Sequence, residues 1–224
     1  MKRIFFSAFV FLAVTVFCAA DDQREEFSYA FGMAIAMDIF LGTGLEIDYD
    51  AFSQGFRDVM EGRETRHTLE QAMEIIRAAY LAAQAAILEQ NLAEGLAFLA
   101  ENAQRPGVTT TPSGLQYEVI VEGSGEMPIT GDIVLVHYRG TTIDGIVFDS
   151  TLDNGEPVQI PLDMVIPGWS EGLRLMREGG RAILYIPPNL AYGERGAGGV
   201  IAPNATLVFE VELISIVRSG ENDF

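Results

Sequence analysis

Two periods divide the chain. From Phe27 to Asn102 apolar positions recur at helical spacing, and from Leu115 onward they alternate in the manner of half-buried strands. Phe27, Phe31, Ala34 and Ile35 mark a first helix that Gly42 and Gly44 stop. Asp48 is placed to cap a second helix whose stripe is Phe52, Phe56, Val59 and Met60, with Gly62 as its stop. Thr68 and Gln71 have capping-box spacing, so a third helix is predicted to run from Thr68 to Ala103, about 54 Å long. It carries Leu69, Met73, Ile76, Tyr80, Ile87, Leu92, Leu96 and Leu99, more apolar surface than two short helices can cover. That excess suggests a second chain; Met33 and Met37, one turn apart, suit either core packing or an irregular contact surface.

The Pro/Gly/Thr-rich join Arg105–Pro112 reads as a domain boundary. Beyond it the expected strands are Leu115–Val121, Ile133–Arg139, Arg181–Ile186 and Thr206–Val217. In the last, Leu207, Phe209, Val211 and Leu213 face one side and Thr206, Glu210 and Glu212 the other. One short helix, Trp169–Met176, places Trp169, Leu173 and Met176 on a single face. Strands with one helix make this half α+β.

The amino terminus changes the compartment. Lys2-Arg3, an apolar run from Ile4 to Phe17 and small residues before Asp21 form a secretory signal over residues 1–20. The run is too short to span a bilayer. Lipidation at Cys18 is the alternative, disfavoured by bulky Phe17 before it. Cleavage after Ala20 removes the only cysteine, and with it disulfide or thiolate chemistry. The net charge is −18, and −20 once Lys2 and Arg3 leave, which repels phosphate backbones and argues against nucleic acid as a partner.

Several familiar chemistries fail on their partners. Gly168-Trp169-Ser170-Glu171-Gly172 matches the serine-hydrolase elbow, but that elbow needs a downstream histidine, and both His67 and His137 precede it. Neither histidine has a second ligand at metal spacing. Gly193, Gly196, Gly198 and Gly199 lead into a strand, not the helix a phosphate loop requires. Asn204-Ala205-Thr206 is a bare glycosylation sequon, and Asp144, Asp149 and Asp153 read as solvated loop carboxylates. No cofactor is implied.

What remains is a set of aromatic blocks in order: VHYRGTTIDGIVFDST, VIPGWSEGL and AYGERGAGGVIAPNATLVFEVELI. From about Ser113 to Arg218 the chain resembles the FKBP-type peptidyl-prolyl isomerases. The helical half, through YAFGMAIA and DYDAFSQGFRDVMEG, is similar to the macrophage infectivity potentiator group of that family. The resemblance implies residues 21–108 as a helical dimerisation domain with a long connecting helix, and 109–218 as a curled antiparallel sheet wrapped on one short helix. Residues 219–224 would be a tail. It implies a cleft in which Tyr138, Phe148, Asp149, Trp169, Tyr192 and Phe209 act on the substrate, with Trp169 as floor, and Val165, Ile166 and Ile201 bind it. The Ile166 amide and Tyr192 hydroxyl would hold substrate carbonyls, and Asp149 would act electrostatically or by holding Tyr138. Val158, Ala197 and Asn154 stand where other members often carry a phenylalanine, a histidine and a basic residue. Those differences leave macrolide affinity and the preference for the residue before proline open.

The expected activity is therefore prolyl isomerisation of proline-containing clients by a secreted homodimer, with chaperone activity. The expected location is the periplasm, or association with the outer membrane or cell surface. The rival is a non-catalytic proline-binding module or holdase. The same reading expects residues 109–224 alone to isomerise short peptides normally.

Overall fold

The computed structural model describes residues 21–40, 43–152 and 155–217. The expected signal at 1–20, Cys18, Gly42, Asp153, Asn154 and the tail at 219–224 lie outside the described residues. The chain divides into two compact units between Thr68 and Leu69.

The first unit holds α1 (Asp21–Ile35), which widens into one π turn over Ala36–Phe40, and α2 (Tyr49–Met60). Asp48 caps α2 as its position predicts, its Oδ1 accepting the amides of Asp50 and Ala51 at 3.0 Å. Among the described side chains of this unit only Asp58 is buried, accepting from Gln54 Nε2 at 2.6 Å. Phe27, Phe31, Phe52, Phe56 and Met37 all remain exposed.

The second unit begins with α3 (Leu69–Asn102), of about 51 Å at 1.5 Å per residue. Its amino-terminal half is solvated. Its carboxy-terminal half turns one stripe inward, with Gly95, Leu99 and Asn102 buried and Asn91 and Phe98 partly so. That i, i+4, i+7, i+8, i+11 spacing is a single helical face. By compactness the chain thus divides ahead of α3, and Arg105–Pro112 joins that helix to the sheet within the second unit. Asn102 Nδ2 donates to Gln116 Oε1 at 2.8 Å, and Gln116 Nε2 donates to the Leu99 carbonyl at 2.9 Å. Arg105 donates to Asn102 Oδ1, the Tyr185 hydroxyl and Glu118 Oε2 at 2.7, 2.8 and 3.0 Å. Those bonds fasten the Pro/Gly join to the sheet.

Seven strands follow: β1 (Val108–Thr110), β2 (Gln116–Val121), β3 (Ile133–Thr142), β4 (Val147–Ser150), β5 (Val158–Pro161), β6 (Gly180–Ile186) and β7 (Leu207–Val217). They form one sheet in the order β1-β2-β6-β7-β3-β4, with antiparallel pairing throughout. The outer edge of β3 serves two strands in succession, β5 along Ile133–Val136 and β4 along Arg139–Thr141. β1, β4 and β5 have three or four residues each, too short for a period to register in sequence.

The alternation in β7 resolves as expected: Leu207, Phe209, Val211 and Leu213 are buried and Glu210 is exposed. Thr206 departs from the pattern. It is buried against α3, where its Oγ1 has no hydrogen-bond partner. The short helix is α4 (Pro167–Leu173), two positions earlier than expected, because Pro167 opens it with a φ already suited to a first turn. Trp169, Leu173 and Met176 are buried together regardless. Gly168 and Gly172 face β6, and a Cβ on Gly172 would stand 2.6 Å from Leu184 Cδ1. The G-x-S-x-G spacing is thus the price of close helix-on-sheet packing and has no nucleophile behind it.

Candidate active site

Seven segments bring one cleft together. β3 supplies Tyr138, β4 Phe148 and Asp149, β5 Ile160, the β5–α4 loop Met164, Val165 and Ile166, α4 Trp169, the turn after β6 Tyr192, and β7 Phe209. The cleft encloses about 240 Å³. Of the nine residues expected from sequence, eight line it. Ile201 does not: it is 8% exposed, packed in the core and bridged to Ala197. Ile160 and Met164 line the cleft unforeseen. Val158, Ile160 and Leu162 alternate just ahead of Val165, a weak strand signal that could have found Ile160. Met164, 81% exposed, gave none.

The floor is built from rings at right angles. Trp169 meets Phe209 with centroids 5.2 Å apart at 86°, Tyr138 meets Trp169 at 5.0 Å and 89°, and Phe148 meets Phe209 at 5.4 Å and 83°. Edge-to-face contacts of this kind set the positive rim of one ring on the negative face of the next, adding about 0.5–1.5 kcal/mol each beyond area burial. Gly140 on β3 makes room for them, since a Cβ there would fall 2.7 Å from both Phe148 and Phe209. Trp169 and Phe209 are 4% and 5% exposed, so the floor is apolar and packed into the core.

One polar pair stands in this apolar setting. The Tyr138 hydroxyl donates to Asp149 Oδ2 at 2.6 Å. Burial first, then the neighbouring Asp149 carboxylate, push the Tyr138 phenol well above its ordinary range, so it keeps its proton and remains a donor. Asp149 is exposed on its other side. Tyr192, at the rim, is 41% exposed, and its hydroxyl has no hydrogen-bond partner among the described residues. The Ile166 amide, immediately before α4, likewise donates to nothing among the described residues.

The other sequence candidates take structural places. His137 Nδ1 lies 3.1 Å from Thr151 Oγ1. Asp144 accepts from the Thr142 hydroxyl. In the sequon, Thr206 is buried and Asn204 Nδ2 donates to the Leu88 carbonyl at 3.2 Å, which leaves that amide committed. Among the described residues no cluster of three or more His, Cys, Asp or Glu could hold a metal, and no helix is long and apolar enough to cross a membrane.

Comparison with known proteins accounts for both halves. Residues 125–214 match the model of the FKBP-type peptidyl-prolyl cis-trans isomerase, and residues 24–119 match the domain amino terminal to FKBP-type peptidyl-prolyl isomerase. The chain is 47% identical over 201 residues to the probable FKBP-type peptidyl-prolyl cis-trans isomerase FkpA of Neisseria meningitidis serogroup B, covering 86% of this chain and 74% of that protein. It is 37% identical over 230 residues to the outer membrane protein MIP of Legionella longbeachae, covering 96% and 97%. The crystal structure of FkpA from Escherichia coli matches with a TM-score of 0.72 at 37% identity, covering 88% of this chain and 97% of that one. A sheet curled on one short helix, an aromatic cleft between them and these matches over both halves together show that the chain belongs to the FKBP-type peptidyl-prolyl cis-trans isomerase family.

Proposed function

We propose that the protein accelerates Xaa-Pro isomerisation by binding the twisted amide more tightly than the planar one in the cleft floored by Trp169. The carrying observation is the linking of Tyr138, Trp169, Phe209 and Phe148 by three edge-to-face contacts beside a single oriented Tyr138–Asp149 hydrogen bond. Planar amides owe their rigidity to resonance, with a rotation barrier of about 18–20 kcal/mol. Resonance also separates charge, so a twisted amide is less dipolar than a planar one and loses less on leaving water. An apolar aromatic floor therefore favours the transition state over the ground state, and each tenfold gain in rate needs about 1.4 kcal/mol of that preference.

In this reading the proline ring rests on Trp169 between Phe148 and Phe209. The free Ile166 amide and the Tyr192 hydroxyl donate to substrate carbonyls on either side of the bond that turns. No bond to the protein forms and no proton is transferred. Asp149 acts mainly by fixing Tyr138, because the hydrogen bond between them is short and uses the phenol's only proton. Of the expected contacts, Ile201 is reassigned from substrate binding to the packing of the rim loop.

The helical unit supports homodimerisation. α1 and α2 expose Phe27, Phe31, Phe52 and Phe56, and a cavity of about 740 Å³ lined by Ile35, Leu45, Ile47 and Phe52 lies between them. A surface this apolar needs a partner. Two clefts on one dimer then grip one proline-containing client bivalently, which supports chaperone activity. A secretory signal at residues 1–20 and the relative named as an outer membrane protein support a periplasmic or outer-membrane-associated site of action. The division of labour keeps residues 21–108 for assembly and 109–218 for catalysis, with the carboxy-terminal half of α3 serving both.

The test is isomerisation of a chromogenic Xaa-Pro-Phe tetrapeptide by Asp149→Ala and Tyr138→Phe. Both variants should remain folded and lose turnover to a similar degree. Unchanged turnover in Asp149→Ala would remove Asp149 from the mechanism.

A further inference from the structure

The turn bearing Tyr192 does not hold itself in place. It opens a loop, Gly193–Asn204, whose neck is closed by one backbone bond, Asn204 N–H to the Gly193 carbonyl at 2.8 Å. Inside it the chain crosses itself tightly: Ala197 bridges Ile201, and a Cβ on Gly196 would strike the Ile201 carbonyl. Asn204 sits at φ 54°, a conformation asparagine tolerates better than other residues with a side chain. From there its Nδ2 reaches out to the Leu88 carbonyl of α3 at 3.2 Å. One turn on, Asn91 Nδ2 reaches back to the Pro203 carbonyl at 2.7 Å. The two bonds form a reciprocal clasp, each asparagine donating to the other element's backbone.

Gly95 explains why the clasp can close. It lies directly over Thr206, and a Cβ on Gly95 would collide with Thr206 Oγ1. Gly95 is also buried inside a 34-residue helix, two turns before its end, where glycine costs about 1 kcal/mol against alanine. The cost is offset by letting α3 approach the start of β7 within hydrogen-bonding reach of residues 203 and 204. Chemistry then connects the helix to the cleft: α3 fixes Asn204, Asn204 fixes Gly193, and Gly193 follows Tyr192, which lines the rim.

We propose that the carboxy-terminal half of α3 is part of the isomerase site, and that Asn91 and Asn204 are positioning residues that set Tyr192 at the cleft rim. This rests on the reading of Tyr192 as a substrate contact. It makes the linker helix a determinant of catalysis, so that whatever bends or loads α3 alters turnover.

The experiment uses the full chain. Asn204→Asp keeps shape and backbone conformation but cannot donate, Asn204→Gly keeps the positive φ without the side chain, and Asn91→Ala removes the return bond. Each is assayed on the chromogenic Xaa-Pro-Phe tetrapeptide, alone and combined with Tyr192→Phe. Titration of the same peptide is followed by fluorescence of Trp169, the sole tryptophan in the chain. A clasp acting through Tyr192 gives a three- to tenfold lower kcat/KM in each single variant, with weaker peptide binding by fluorescence. Adding Tyr192→Phe then causes little further loss, because linked residues are not additive. Asn91→Gln, which can still donate, should recover part of the activity. Unchanged kcat/KM in both Asn204 variants, or losses that simply multiply with Tyr192→Phe, would overturn the proposal. An inactive parent protein would instead overturn the isomerase reading on which it rests.

Discussion

The two units of this chain spend similar apolar side chains in opposite ways. In the second unit Leu115, Val134, Val136, Leu173, Leu184, Leu207 and Leu213 have no exposed surface at all, because one face of the sheet packs on α4. In the first unit, Phe27 and Val59 are each 68% exposed, and only Asp58 among its described side chains is buried. The difference separates a unit that buries its apolar side chains within one chain from one that leaves them available to the proposed partner. α3 takes part in both regimes: solvated through Tyr80 and Leu81, then docked from Asn91 to Asn102.

The sharpest way to break that comparison is to cut the chain where sequence alone places the boundary. A fragment of residues 109–224 loses Leu99, Asn102 and Arg105, leaving buried Gln116 without either partner. Losing one buried leucine and two buried hydrogen bonds should cost roughly 3–5 kcal/mol relative to residues 87–224. Chemical denaturation of the two fragments checks this, and equal midpoints would show that the sheet folds without the end of α3. Residues 87–224 should isomerise short peptides normally, and residues 109–224 should do so to the extent that they remain folded.

Next in size is Gly140→Ala, which drives a methyl into Phe148 and Phe209. Overpacking of this kind costs about 1–3 kcal/mol, and because the displaced rings are the cleft itself, turnover should fall at least tenfold. A thermal melt beside the peptide assay separates the two effects. In the helical unit, Phe31→Asp with Phe52→Asp should convert a dimer to a monomer by light scattering. The same pair should leave the melting of the sheet unit within about 0.5 kcal/mol of the parent. Coupled losses in both readouts would mean the units do not fold separately.

The smallest effect is alkaline. Tyr138 and Tyr185 both have phenol pKa values raised above the ordinary 10, in each case chiefly by burial. Below about pH 10 both folded and unfolded chains hold these protons, so the contribution to stability is intact. Above it the unfolded phenols ionise while the buried ones do not, so stability falls as pH rises. Replacing Tyr138 with Phe should make that fall shallower between pH 10 and the onset of unfolding, as followed by tyrosinate absorbance.

Legibility followed element length and the range of the contacts. β7 and β3, with eleven and ten residues, announce themselves by alternation, and Asp48 by its place before a stripe. β1, β4 and β5 are too short to show a period and exist because longer strands offer them an edge. Eight of nine cleft residues were legible because ordered aromatic blocks carry the family resemblance. Ile201 stands apart from the cleft lining because its side chain packs in the core. The docking of α3 was invisible: Gly95 looks like a flaw inside a helix and Asn91 like a solvated side chain until Thr206 and Pro203 arrive from more than a hundred residues away.

The most direct test of the central claim is proline-limited refolding of a disulfide-free protein, with residues 21–224 added in catalytic amounts and Phe148→Ala run in parallel. The parent should accelerate the slow phase, and the variant, folded by circular dichroism, should lose most of that acceleration. Equal acceleration by both, or none from a folded parent, would contradict isomerisation in this cleft.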